Sequence, residues 1–115
     1  MRTLDAANSI RAADVRILAE CKRLIHGILP DAAVIIYGSV ARGTPGPESD
    51  YDILVLTEGA LSSADEDRVR EVVFDWELER EIVVSLLFHS KEEWDTPLHR
   101  GMPFHEEVER EGVIL

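Results

Sequence analysis

Two apolar rhythms alternate along this chain. In "IRAADVRILAECKRLIHGIL" (residues 10–29) the positions Ile10, Ile17, Cys21, Leu24 and Ile28 recur at helical spacing, with Leu18 and Ile25 beside them. Arg11, Arg16, Glu20, Lys22 and Arg23 fall mostly elsewhere, so the pattern predicts an amphipathic helix ended by Pro30-Asp31. "AAVIIY" (32–37) is then apolar almost without interruption, which predicts a strand buried on both faces. Ser39-Val-Ala-Arg-Gly fits the opening of a short helix, and "TPGPE" carries too much Pro and Gly for anything but a loop. "DYDILVLT" (50–57) reads as the second strand.

Ser63 with Glu66 forms a capping-box pattern before "DEDRVREVVFDWELER", where Val69, Val72, Val73, Trp76 and Leu78 are expected to line one side of a second long helix. "EIVVSLLFH" (81–89) is a third strand by its β-branched and aromatic content. Ser90 with Glu93 opens a capped turn, "LHRGM" between Pro97 and Pro103 reads as irregular, and "FHEEVERE" predicts a last helix with Gly112 as its C-cap. Helices alternating with strands place the chain in the α/β (α+β) class, as a small mixed sheet flanked by helices.

A length of 115 residues predicts one domain spanning 1–115. Apolar residues at 45% and charged residues at 30% argue against wholesale disorder. No apolar run approaches the roughly 18 residues of a membrane span. The polar start and the lone Cys21 suit a reducing cytoplasm. The net charge of −11, from 12 Lys and Arg against 23 Asp and Glu, excludes the basic stripe that releases counterions from nucleic acid. It leaves a metal-compensated nucleotide or a basic protein partner, and leaves a homo-oligomer open.

The chemistry concentrates in "YGSVARGTPGPESDYDILVL" (37–56). Gly38 lets the backbone turn sharply, and Ser39 at the first turn of a helix offers a hydroxyl with free backbone N–H groups, a phosphate cradle. Asp50 and Asp52, two apart on a strand, point to one side and repel unless a cation lies between them. Oxygen ligands of this kind suit Mg²⁺. Taken singly, a Gly-Ser turn or an Asp-x-Asp strand edge has an ordinary structural explanation. In this order they form the arrangement phosphoryl or nucleotidyl transfer requires.

Gly38-Ser39-x-Ala41-Arg42-Gly43, five residues, then Ser49-Asp50-x-Asp52 resembles the nucleotidyltransferase signature of the DNA polymerase beta superfamily. The short chain, the stretch "EIVVSLLFHSKEEWDTPLH" and the closing "VEREGVIL" are similar to its minimal nucleotidyltransferase branch. That resemblance implies a nucleotidyltransferase fold, in which Gly38, Ser39 and Ser49 hold the nucleotide and Asp50 and Asp52 are the catalytic, Mg²⁺-binding pair. Arg42 has two roles open to it: reaching a phosphate or carboxylate, or bracing the short helix. The resemblance further implies AMP transfer from ATP to a protein partner, a HEPN-domain toxin for which this chain is the antitoxin.

One position departs from the pattern. The superfamily's third carboxylate, on the next strand, aligns with Ser85, a poor metal ligand and a poor base. Glu81 and His89 are each about 13 Å from it along a strand, too far to substitute. Two readings therefore stand: a working nucleotidyltransferase, or a degenerate one that neutralises a partner by occlusion. An antibiotic-modifying enzyme fits less well, since no acceptor-binding domain is evident. His26, His89, His99 and His105 lack zinc-site spacing, Cys21 and Trp76 read as core, and Trp94 fits core or a partner surface.

Overall fold

The computed structural model describes residues 1–47 and 50–115, so Ser49, an expected nucleotide ligand, lies outside the described residues. In chain order the elements are β1 (Arg2–Thr3), a 3-10 turn (Leu4–Ala6), α1 (Ala12–His26), β2 (Ala33–Tyr37), α2 (Gly38–Arg42) and β3 (Tyr51–Thr57). They continue as α3 (Ser63–Arg80), β4 (Val84–Ser90), α4 (Lys91–Trp94), α5 (Pro97–Arg100), α6 (Pro103–Glu111) and β5 (Val113–Ile114). The five strands form one mixed sheet in the order β1-β5-β2-β3-β4, with helices on both faces, as the class predicts.

Alternation along the central strands divides the core in two. Val34, Ile36, Ile53 and Val55 face α1 and α3, where Leu18, Cys21, Ile25, Val69, Val73 and Trp76 are buried. Ile35, Tyr37, Leu54 and Leu56 face the other way, against Trp94 and Val108. A strand buried on both sides has no polar side to display, which is why β2 and β3 read as continuous apolar runs.

Several expectations need correction. Ile10 is buried but precedes α1, and the helix's buried stripe is Asp14, Leu18, Cys21 and Ile25, with Ile17, Leu24 and Ile28 only flanking it. In α3 the buried set is Val69, Val73 and Trp76, an i, i+4, i+7 stripe. Val72 sits at its rim, and Leu78, half a turn away from Val69, is 63% exposed. Ser62 rather than Ser63 caps α3, its extended backbone placing Oγ to accept from the Asp65 N–H. The third strand starts at Val84, because Glu81 adopts a left-handed conformation (φ 55°) as the C-cap of α3.

"LHRGM" is not irregular throughout: Pro97 at a first helical position and the Thr96 side-chain cap make α5 helical over Pro97–Arg100. Gly112 follows α6 but is extended (φ −66°), not left-handed. What it supplies is room, since a Cβ there would crowd the Val108 carbonyl and stand 3.1 Å from Ile35 Cγ2. The Ser90–Glu93 capping box forms as expected.

Candidate functional site

Topology gathers the site. β3 runs antiparallel to β2, so Tyr37 at the end of β2 pairs with Asp52 at the start of β3. β4 runs parallel to β3 and brings Ser85 beside Asp52. β5 runs antiparallel to β2, with Val113 opposite Ile36, so the end of α6 arrives where α2 begins. One end of the sheet therefore carries Gly38, Ser39, Asp50, Asp52, Ser85 and the last turn of α6.

Gly38 has φ +78°, a conformation that costs a residue with a Cβ, and its Cα faces Asp52. A Cβ there would lie 3.3 Å from the Asp52 carboxyl carbon and closer still to its Oδ2. Glycine is thus what lets the turn after β2 close onto the carboxylate. α2 ends at Gly43, also left-handed (φ +77°), whose Cα lies against the Ser9 backbone carbonyl. The N-cap residue of α2, Tyr37, gives no side-chain cap. Among the described residues the Ser39 hydroxyl has no hydrogen-bond partner, so this hydroxyl and the first-turn N–H groups that follow Gly38 remain open to a ligand.

Burial, then the charge of Asp50, raises the Asp52 carboxyl above its ordinary value; Arg42 works against this, while Glu107 and Glu111 add to it. Burial and then Asp52 and Glu107 likewise push the Tyr37 hydroxyl up to about 12, so it stays a neutral donor. A carboxylate held among other carboxylates, partly buried and short of cations, is the electrostatic condition a bound divalent ion relieves. The donor set agrees: oxygen ligands with a hydroxyl and backbone N–H groups across from them. Among the described residues no group of three or more His, Cys, Asp or Glu could by itself hold a metal ion. Two carboxylates completed by substrate phosphates and water is the usual way Mg²⁺ binds, so the residues present fit it.

Arg42 does not point freely into the site. Its Nη1 donates to both oxygens of Glu111, at 3.0 and 2.9 Å, and the Gly38 N–H donates to Glu111 Oε1 at 3.3 Å. Glu111 and Glu107 escaped the sequence reading. Their i, i+4 spacing marks a shared helix face, but only the topology shows that this face looks toward Asp52.

The remaining candidates fall into packing roles. Cys21 is buried, and burial followed by the charge of Glu77 pushes its thiol up to about 12, which makes it no nucleophile. Trp94 is core: its indole stacks on His105 and donates to Glu109 Oε1 at 3.0 Å. His89 and His99 meet edge-to-face at 5.0 Å, and the His26 ring pairs with the Ala32 carbonyl at 2.8 Å. On the far side of the turn, the Tyr51 hydroxyl donates to buried Asp14 at 2.7 Å and Arg11 Nε donates to the same carboxylate at 3.2 Å.

Fold and site together define a nucleotide-transferring domain. The family model described as the nucleotidyltransferase domain matches residues 15–111, and the chain belongs to that family. A curated relative from Methanocaldococcus jannaschii, which bears the provisional name of protein adenylyltransferase, is 30% identical over 79 residues, covering 67% of this chain and 80% of its own. Among solved structures, a toxin-antitoxin with AMP-PNP superposes with a TM-score of 0.59 at 18% identity, over 84% of this chain and 69% of the other. The toxin-antitoxin MntA-HpeT, in a mutant form, gives 0.56 at 18% identity over 82% and 68%. At such identities these two establish the shared fold. Among the described residues no helix is long and apolar enough to cross a membrane.

Proposed function

We propose that this chain is a cytoplasmic, Mg²⁺-dependent nucleotidyltransferase that moves AMP from ATP onto a protein partner, as the antitoxin of a HEPN-toxin module. The observation that carries the reading is the closure of the Gly38-Ser39 turn onto Asp52, a phosphate cradle held against a carboxylate pair. The names borne by the archaeal relative and the toxin-antitoxin neighbours favour the protein acceptor over a free small molecule.

In this reading the Ser39 hydroxyl and the open N–H groups of α2 orient the triphosphate. Asp50 and Asp52 would hold the metal, which offsets charge on the phosphates. Asp52 lies at the β3–β4 border and would hold the ion there, so the α-phosphate is drawn to the edge where an acceptor hydroxyl can approach over the exposed Ser85. The acceptor oxygen bonds to the α-phosphorus, the bond to the β-phosphate oxygen breaks, and pyrophosphate leaves. The acceptor's proton goes to water, because a serine hydroxyl is no base at neutral pH. Such a site is slow by the roughly 10²–10⁴-fold that a positioned base supplies.

Titration calorimetry of ATP with and without Mg²⁺, on the native protein and Asp52→Asn, tests the site. Binding that requires both the ion and the carboxylate supports it, and ATP binding indifferent to both removes it. Transfer of label from α-labelled ATP to the partner then tests the reaction.

Ser85 beside Asp52 specifically favours a second reading, a degenerate domain that neutralises its partner by covering it. In that case Asp52→Asn still neutralises the partner. Under the transfer reading the complex forms but neutralisation is lost.

A further inference from the structure

We infer that Glu111, in the last turn of α6, is the positioning residue of the phosphate-binding half of the site, holding Arg42 and the Gly38 turn in the geometry a triphosphate needs. The inference rests on the nucleotide-site reading above and assigns a role to a residue outside the signature motif.

The geometry is specific. The Glu111 side chain is only 11% exposed, whereas that of Arg42 is 48% exposed. A surface ion pair between two mobile side chains fixes little. Here one partner is already held between α2 and α6 and receives a backbone donor as well. Arg42 Nη1 faces both Glu111 oxygens and shares an N–H between them. A guanidinium has five donors in a rigid fork. Nε and Nη2 have no partner among the described residues, and their three hydrogens remain available to a phosphate.

Glu111 thus does for Arg42 what an outer carboxylate does for a metal-bound imidazole: it selects one orientation of a group that would otherwise sample many. The same carboxylate grips the Gly38 N–H, and Gly38 is the residue whose missing Cβ admits Asp52. One side chain from α6 therefore grips both ends of α2, Gly38 and Arg42. The two roles left open for Arg42 become one. It braces the short helix through Nη1, and it presents the rest of its fork to the ligand.

The experiment is a double-mutant cycle on Mg-ATP affinity, read by calorimetry on the full chain as native protein, Arg42→Ala, Glu111→Gln and the double variant. Glutamine keeps an oxygen for the Gly38 N–H and loses the charge that anchors Arg42. Glu111→Gln is expected to weaken Mg-ATP binding roughly 10–100-fold, with little further loss on adding Arg42→Ala. Losses that simply add would overturn the inference, because a scaffold role for Glu111 is blind to what stands at position 42. Native-like affinity in Glu111→Gln overturns it while leaving the nucleotide site standing. Tighter binding overturns it too, and makes Glu111 an internal competitor of the phosphates. If the native protein itself binds no Mg-ATP, the site reading fails first and this inference falls with it.

Discussion

Replacing Gly38 by alanine adds one methyl group where the turn after β2 meets Asp52, and the structure sets both of its effects. At φ +78° an L-residue pays about 1–2 kcal/mol for the left-handed conformation. The new Cβ would also lie 3.3 Å from the Asp52 carboxyl carbon and under 3.0 Å from Oδ2. That neighbour is the end of a side chain, so the clash is relieved by moving the carboxylate by about 1 Å, not by opening the fold. A displacement of that size at a reacting centre costs about 100-fold. Gly38→Ala should therefore lower the melting temperature by only about 4–8 °C while weakening Mg-ATP binding and slowing transfer about 100-fold.

Gly43→Ala is the control. It has a similar φ of +77°, but its Cβ would lie 3.1 Å from the Ser9 carbonyl carbon and closer to the oxygen, backbone atoms that cannot swing aside. Ser9 is also tied down by its Oγ, which donates to the Ala41 carbonyl at 2.7 Å. Strain and overpacking together come to about 2–5 kcal/mol, so Gly43→Ala should damage stability more than Gly38→Ala. Thermal unfolding by circular dichroism, run beside calorimetric titration, separates the two. Native Mg-ATP affinity in Gly38→Ala, or a stability loss as large as that of Gly43→Ala, would refute the reasoning.

Four further outcomes follow from named contacts. Because burial and Asp50 raise the Asp52 carboxyl above its ordinary 3.8, the folded state binds that proton more tightly than the unfolded one. The associated stability is fully present below pH 3.8 and lost as pH rises through the raised value, so Asp52→Asn should melt higher than the native protein at pH 7, the gap closing in acid; a lower melting temperature at pH 7 contradicts this. Ser85→Asp restores a third carboxylate beside Asp52 and should raise transfer about 10²-fold or more, measured with α-labelled ATP; an unchanged rate would mean that this position is not where the third acid acts. Tyr51→Phe removes one of two partners of buried Asp14 and should cost about 1–3 kcal/mol in urea unfolding. Burial and then Asp14 push the Tyr51 hydroxyl up to about 12, so its contribution holds below pH 10 and disappears as pH rises through 12. Raising salt should strengthen Mg-ATP binding or leave it unchanged, since the ligand and a chain of charge −11 repel at long range; a steep fall with salt would indicate a basic groove that the sequence lacks.

The sequence exposes what depends on local rules. β2 and β3 are legible because strands buried on both sides are apolar throughout, and the Gly38, Ser39, Asp50 and Asp52 constellation is legible because chain order alone places a turn between two paired strands. β1 and β5 are not legible: two residues carry no period, and their pairing is set by partners about 80 to 110 positions away. Leu78 departs from its expected place for a related reason, since nine residues from Val69 is half a turn off the buried stripe even though the residue is apolar. Glu111 could be seen as one more acid in an acidic helix. That it closes on Gly38 and Arg42 depends on β5 running antiparallel to β2, a fact about topology that no window around residue 111 contains.

The balance of charge at the site also bears on the form in which a nucleotide can arrive. Asp50, Glu107 and Glu111 all act on Asp52 with the same sign, and Arg42 is the cation that opposes them. Part of that cation's effect is already claimed, because Glu111 holds its Nη1. A bare triphosphate brought to this end of the sheet would meet Asp52 at the start of β3, Asp50 just before it and an acidic helix, with one partly neutralised guanidinium in return. Coulomb repulsion among such groups at a few ångströms is large even at the effective dielectric of a protein surface. Under the proposed function a divalent ion would change the sign of the encounter, since Asp50 and Asp52 would hold it and it would offset the charge of the phosphates. In that reading the acidity that argues against a nucleic-acid groove is the same property that favours a metal-nucleotide complex over a bare nucleotide, and the hydroxyl of Ser39 with the anchored fork of Arg42 would choose how the phosphates lie.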